Sequence, residues 1–324
     1  MVNRGDLPAA LRDTESLRRQ RVGRGQGSLQ WRLAVLQAEI LMRQGLYRES
    51  IGLLSAPAPP ALQNSDAAVW QKLTLAAAET YLGDHAAAER DLNTAESLAQ
   101  IHAPQLLGEV LLRRGTLTFR SGDPAGALKL YQSTLAFARS HSNPFLEVAA
   151  LGSLGFLATR QEHFDESLDW NKQALELSRS VRALGSLARI EGNLAWSYKE
   201  MGDLENARDL FAQADLDATQ SGQVERRITW LSSVGDVFYE LHDYVAAESS
   251  SQKALQLADS LHDDEDAISS LQNLALIALA RNQFDLARKN IGCYPPRSSL
   301  SGPCETTLLT AHRRPSRCEN HRSR

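Results

Sequence analysis

Along most of the chain, apolar residues recur at the three- and four-residue steps of an α-helix, as in Leu151, Leu154 and Ala158 or Ala207, Leu210, Phe211 and Ala214. Short polar stretches interrupt them, and these interruptions are variants of one turn. Aligned on one anchor position they give Gly5, Gly45, Gly83, Gly122, Glu162, Gly202, His242 and Asn282, in steps of 40, 38, 39, 40, 40, 40 and 40 residues. Five anchors are glycine, which can take the left-handed conformation that stops a helix. Asp6, Asp84, Asp123, Asp203 and Asp243 follow five of them, and aspartate can cap the helix that comes next. The pattern predicts pairs of helices, each of roughly 12–17 residues, joined by a tight turn.

Two columns of small residues share this register. Five positions after the anchors stand Ala10, Ser50, Ala88, Ala127, Ser167, Ala207, Ala247 and Ala287; seven before them stand Ala38, Ala76, Gly115, Gly155, Ala195, Gly235 and Ala275. Small residues twelve apart, one on each helix, let two backbones approach closely. A third column, two after the anchor, is mostly large: Leu7, Tyr47, Phe164, Leu204, Tyr244 and Phe284, which would plug the gap beside that crossing. Helix pairs of this kind bury their apolar faces only by stacking on neighbours, so the expected fold is all-α, an α-solenoid of antiparallel helix pairs. Pro57, Pro59 and Pro60 end one second helix early and read as a rigid link between repeats.

Composition sharpens the boundaries. Apolar residues make up 43% and charged residues 23% of the 324, which excludes bulk disorder. No apolar run is long enough for a membrane helix, and no signal peptide opens the chain. Cys293, Cys304 and Cys318 all lie in the last 32 residues, where six arginines face two glutamates. With −4 for the whole chain and +4 for that segment, 1–292 carries −8. A cysteine-free array fits a reducing compartment and suggests the cytoplasm. The expected organisation is a partial first repeat and flexible link over 1–27, about seven helix pairs over 28–292, and a disordered basic tail over 293–324. That tail interrupts a helix in register, as a reading-frame shift would; a natural basic tail is the alternative. An uncapped last repeat would leave the protein prone to self-association.

The small-residue columns resemble the tetratricopeptide family. Gly155 sits where that family keeps a small residue in its first helix, Ser167 where it keeps one in the second, and Ala174 matches a further alanine in a column that also holds Ala95, Ala214 and Ala254. The resemblance covers 7–292; it departs in period, 40 residues where the common form has 34. The longer form is similar to arrays in signalling scaffolds and in bacterial proteins with a caspase-like CHAT peptidase domain downstream. It implies a right-handed superhelix whose first helices line a concave face.

On that face the column nine before each anchor reads Leu36, Thr74, Arg113, Ser153, Asn193, Ser233 and Asn273. Polar groups at this step could form a ladder holding the backbone of an extended peptide, or they could be ordinary solvated helix positions. Phe119, Phe156, Trp196 and Tyr239, with Arg120, Arg160, Arg189 and Lys199, lie nearby and are of types that anchor interfaces; packing between repeats explains Phe156 and Trp196 equally well. The candidate groove residues are therefore Arg113, Ser153, Arg160, Arg189, Asn193, Lys199, Ser233, Tyr239 and Asn273. No metalloprotease, phosphate-loop or hydrolase-elbow motif occurs, so no enzyme, metal or cofactor is expected. His262 to Asp266 reads as helix-start acids rather than a cation site. The N-terminal arginines (Arg4, Arg12, Arg18, Arg19, Arg21, Arg24) read as a solvated face, not a nucleic-acid site. Two functions remain: a scaffold binding a peptide or partner helix in the groove, or the sensor or substrate-recruiting portion of a truncated CHAT-type peptidase or signalling regulator whose effector domain is absent.

Overall fold

The computed structural model describes residues 7–19 and 26–292, and this stretch is helical throughout, with no strand among the described residues. Gly5, Asp6, most of the N-terminal link, and the tail with its three cysteines lie outside the described residues. A lone helix α1 (Leu7–Arg19) precedes seven hairpins: α2 (Gln26–Arg43) with α3 (Tyr47–Leu54), α4 (Asp66–Tyr81) with α5 (His85–His102), α6 (Leu107–Arg120) with α7 (Pro124–Ser140), α8 (Pro144–Arg160) with α9 (Phe164–Ser180), α10 (Leu184–Glu200) with α11 (Leu204–Ser221), α12 (Val224–Glu240) with α13 (Tyr244–Leu261), and α14 (Asp264–Ala280) with α15 (Phe284–Gly292). Each described anchor has positive φ, from 58° at Asn282 to 89° at Gly122. The side chains of Asp84, Asp123, Asp203 and Asp243 each accept a hydrogen bond from the backbone N–H three residues on.

All fifteen small-column residues are buried. Here the backbones meet: Ser50 Oγ donates to the Ala38 carbonyl at 2.8 Å and Ser167 Oγ to the Gly155 carbonyl at 2.9 Å, each bond joining the two helices of one hairpin. A Cβ on Gly115 would stand 2.6 Å from the Tyr131 ring, so no larger residue fits that crossing. From α8 to α14 the complete helices run 17 or 18 residues, longer than their apolar patterns suggest, because a second left-handed turn joins each hairpin to the next. Its φ-positive residues are Ser142, Arg182, Gly222 and His262. From Gly122 to Asn282 a left-handed residue therefore falls every 20 positions.

The first helices α2, α4, α6, α8, α10, α12 and α14 pack on one another in succession, whereas the second helices pack chiefly on the first helices that flank them. The first helices thus form the inner, tighter layer, and the array curves with that layer inside. The proline run ends α3 at Leu54, and Gln71 Nε2 on α4 donates to the carbonyls of Leu54 (3.1 Å) and Ala56 (3.0 Å), pinning the link. Curvature brings the beginning of the array against α12. Tyr47 Oη donates to the Glu225 carboxylate at 2.5 Å across 178 positions, and a Cβ on Gly222 would stand 2.6 Å from the Pro8 ring. That contact closes the groove into a cavity.

Candidate peptide-binding cavity

The cavity encloses about 670 Å³ between the first helices α2 to α12, with Tyr47 and Tyr131 reaching in from second helices. Its lining follows one helical stripe: positions 17, 13, 9, 6 and 2 before each anchor point inward, as steps of three and four residues require. In α10 that stripe is Gly185, Arg189, Asn193 and Trp196; in α6 it is Glu109, Arg113, Thr116 and Arg120. Of the nine candidate groove residues, Arg113, Ser153, Arg160, Arg189 and Asn193 line the cavity together. Lys199, Ser233, Tyr239 and Asn273 do not. Lys199 Nζ lies 3.3 Å from Glu240, Ser233 Oγ accepts from Trp196 Nε1 at 3.1 Å, and the Tyr239 ring packs 5.7 Å from that of Tyr244.

The polar column is therefore not a row of free groups, nor a solvated face. Thr74, Asn193 and Ser233 are buried, and their polar atoms tie helices together. Thr74 Oγ1 donates to Glu39 at 3.0 Å, and Asn193 Nδ2 donates to the Gly152 carbonyl at 3.1 Å, one repeat back. Only Arg113 and Ser153 of this column keep partial exposure at the cavity wall. Aromatic residues do form a continuous wall: Phe119 against Phe156 (5.3 Å between centroids), Phe156 against Trp196 (6.4 Å) and Trp196 against Trp230 (5.6 Å). Phe156 and Trp196 thus pack between repeats and line the cavity at once.

Six arginines (Arg43, Arg113, Arg120, Arg160, Arg189, Arg226) and two glutamates (Glu109, Glu225) supply the charge. Glu39, buried behind the wall, takes Arg43 at 2.8 Å and Arg113 at 3.2 Å. Burial alone would raise its carboxyl, but the Arg113 and Arg43 cations and the bonds from Arg43 and Thr74 outweigh that and hold it below the ordinary range. Glu109 goes the other way: burial raises its carboxyl more than Arg113 and Arg43 lower it. The Arg120 guanidinium lies 4.4 Å over the Tyr81 ring, itself stacked on Tyr47 at 4.9 Å. Burial, then the neighbouring Arg226 cation, pushes Arg189 down to about 10.

Sequence reasoning missed Arg226, Tyr47, Tyr81, Tyr131 and Glu225. The signal was available: walking the ninth-position column by helical steps to positions 13 and 17 reaches Glu109 and Glu225, with Arg226 beside the latter. Tyr131 had no such signal, since it arrives from α7.

A curved double layer of helix hairpins, fused through small residues and concave on its first helices, defines an α-solenoid. The chain is a tetratricopeptide-repeat protein: the family model Tetratricopeptide repeat matches residues 146–214 and 226–290. Among curated proteins it is 22% identical over 161 residues to Outer dynein arm-docking complex subunit 4 of Mus musculus, across 50% of this chain and 25% of that one. It is 28% identical over 96 residues to Protein FLUORESCENT IN BLUE LIGHT, chloroplastic, of Arabidopsis thaliana, across 30% of each. The chain thus spans 25–30% of these relatives' lengths. Among solved structures it is similar to the Cut9-Hcn1 complex (TM-score 0.61, 15% identity, 89% of this chain and 49% of that). It is also similar to NprR in complex with its cognate peptide NprX (0.53, 19%, 84% and 78%). A third is a STAND ATPase with a tetratricopeptide-repeat sensor from Pyrococcus horikoshii (0.56, 17%, 81% and 40%). At these identities the likeness concerns the fold. None of these matches carries the resemblance to CHAT-domain arrays.

Proposed function

We propose that this protein is a non-catalytic interaction scaffold that holds a peptide or helical segment of a partner protein in the cavity of its first helices. The observation that carries this reading is the cavity itself. It joins a continuous aromatic wall to arginines, the combination that most often anchors interfaces, on the inner layer of the solenoid. The NprR structure, solved with a peptide, supports a peptide as occupant for this fold. No helix among the described residues is long and apolar enough to cross a membrane, and the proposed partner is protein, not nucleic acid. Self-association through α15, whose Phe284 is 61% exposed, is a further part of the proposal.

A second reading has one observation behind it. The Pyrococcus horikoshii structure places a tetratricopeptide-repeat sensor within a STAND protein, and this chain covers 40% of that one. The array would then be the sensor of a longer regulator, with the same cavity as its input.

The test is selection of binding peptides from a random display library on the whole chain, followed by titration of the selected peptides against Ala149→Trp, which fills the cavity from α8. Affinity lost with the helical circular dichroism unchanged fits the reading. Undiminished affinity places the binding surface elsewhere.

A further inference from the structure

Charge in this molecule is segregated. Residues 1–292 carry −8, yet the cavity wall holds six arginines against two glutamates. Most of those cations have an account within the fold. Arg43 and Arg113 share Glu39, and Arg120 lies over Tyr81. Among the described residues Arg160, Arg189 and Arg226 make no ion pair. Arg189 is the deepest of these. Its guanidinium lies against the Gly152 backbone, where a Cβ would stand 2.7 Å from Nη1 and 2.8 Å from Nη2. Glu225, next to Arg226, is engaged by Tyr47 in the contact that closes the cavity.

Two like charges, partly stripped of water and without a counter-ion, cost stability unless an anion arrives from outside. Burial and the Arg226 cation together depress the Arg189 pKa, the response expected of a cation with no anionic neighbour. The chain's own 293–324 segment has the wrong sign to supply that anion, at +4. A cavity of about 670 Å³ walled by Trp196, Trp230 and Tyr131 suits a ligand of several residues with apolar groups rather than a bare ion.

We propose that the Arg189–Arg226 pair receives carboxylate side chains of an acidic peptide segment, whose apolar residues lie on the aromatic wall. This rests on the interaction reading above and names the chemistry of its partner. Guanidinium forks take carboxylates in a bidentate manner, which gives direction as well as attraction.

The experiment is calorimetric titration of the whole chain with three peptides, Ac-Glu-Glu-Phe-Glu-Glu-NH₂ and its Gln and Lys counterparts, and with tripolyphosphate. Arg189→Met, Gly152→Ala and, as an outer-face control, Arg208→Met are titrated alongside. The acidic peptide should bind the wild type and Arg208→Met alike, and should bind Arg189→Met at least about tenfold more weakly. Ligand-free Arg189→Met should melt above the wild type, because it removes an unpaired cation; a side chain that merely held the fold together would lower the melting temperature. Gly152→Ala meets only the movable guanidinium, so it should melt like the wild type and still weaken the acidic peptide. Equal binding of the acidic and Gln peptides, or no loss in Arg189→Met and Gly152→Ala, overturns the proposal. Tripolyphosphate binding as tightly as the acidic peptide makes this a general anion site and overturns the peptide assignment. If only the Gln or Lys peptide binds, this proposal fails and the interaction reading stands. If library selection also yields no peptide, both fail.

Discussion

The array from α6 onward and the stretch before it solve the same packing problem differently. Between Gly122 and Asn282 every turn is left-handed and falls every 20 residues. Before α6 the spacing slips: α3 has 8 residues, a proline link follows, and a 3-10 turn at Pro104–Leu106 precedes α6. Yet both parts keep the small-residue crossing, with Ala38 against Ser50 early and Ala195 against Ala207 late, all 0% exposed. What is indispensable is therefore the close approach within a hairpin, while the connection between hairpins can vary. The irregular stretch also carries Tyr47 and Pro8, the groups that meet α12 and close the cavity. Regularity builds the wall; the departure from it supplies the seal.

The largest test of this contrast lies in the regular block. Phe211→Ala, at a site with 0% exposure inside the α10–α12 core, should cost about 3–5 kcal/mol in urea unfolding. A loss below ~1 kcal/mol would mean that the block's core is looser than its burial indicates. Next in size, Tyr47→Phe removes the closing hydrogen bond to a charged acceptor, a loss of about 1.5–3 kcal/mol. Because neighbour-only stacking lets parts of a solenoid melt separately, this variant should also split the melting curve into two steps. A single unshifted transition would show that the ends are not coupled. Ala195→Leu should overpack the late crossing by about 1–3 kcal/mol, and an unchanged melting curve would remove that column from the packed interface.

A pH test separates the two stretches further. Glu191, 1% exposed in the regular block, has its carboxyl pushed up to about 8 by burial and then by Asp217, against Arg179. The folded state therefore holds that proton more tightly than the unfolded chain. The associated stability is complete below the ordinary carboxyl range and is lost as pH rises through about 8. Glu191→Gln should flatten the fall in melting temperature between pH 5 and pH 9; an equally steep fall would assign it to other groups. The smallest effect concerns the turns: Glu162→Gly, at φ 63°, should gain about 1 kcal/mol by relieving a left-handed non-glycine residue. A loss of stability there would show that the Glu162 side chain contributes more than its backbone costs.

The helix pairs were legible because one turn in each repeat uses residues that announce it. Gly83–Asp84, Gly122–Asp123 and Gly202–Asp203 combine a left-handed stop with a cap. The second turn was hidden because Ser142, Arg182, Gly222 and His262 share a conformation and not a residue type. Helix lengths were read short for the same reason. At the site, the ninth-position column pointed to the correct face but to the wrong solvent exposure. Asn193 and Ser233 sit where successive first helices touch, and a single helix's periodicity does not reveal how closely its neighbour approaches. The cavity's closure was not readable, since it depends on curvature summed over several repeats.

That closure makes the molecule a gauge of its own length. Tyr47 meets Glu225 only because a fixed count of hairpins separates them, each contributing its share of rotation. Loss or duplication of one 40-residue unit between them would leave every hairpin locally intact, with its own crossing and its own caps. It would nevertheless carry the two ends past each other. Repeat arrays commonly evolve by just such gains and losses, so this one is restrained from them by a hydrogen bond rather than by its core: the number of repeats, and not only their sequence, is written into the seal.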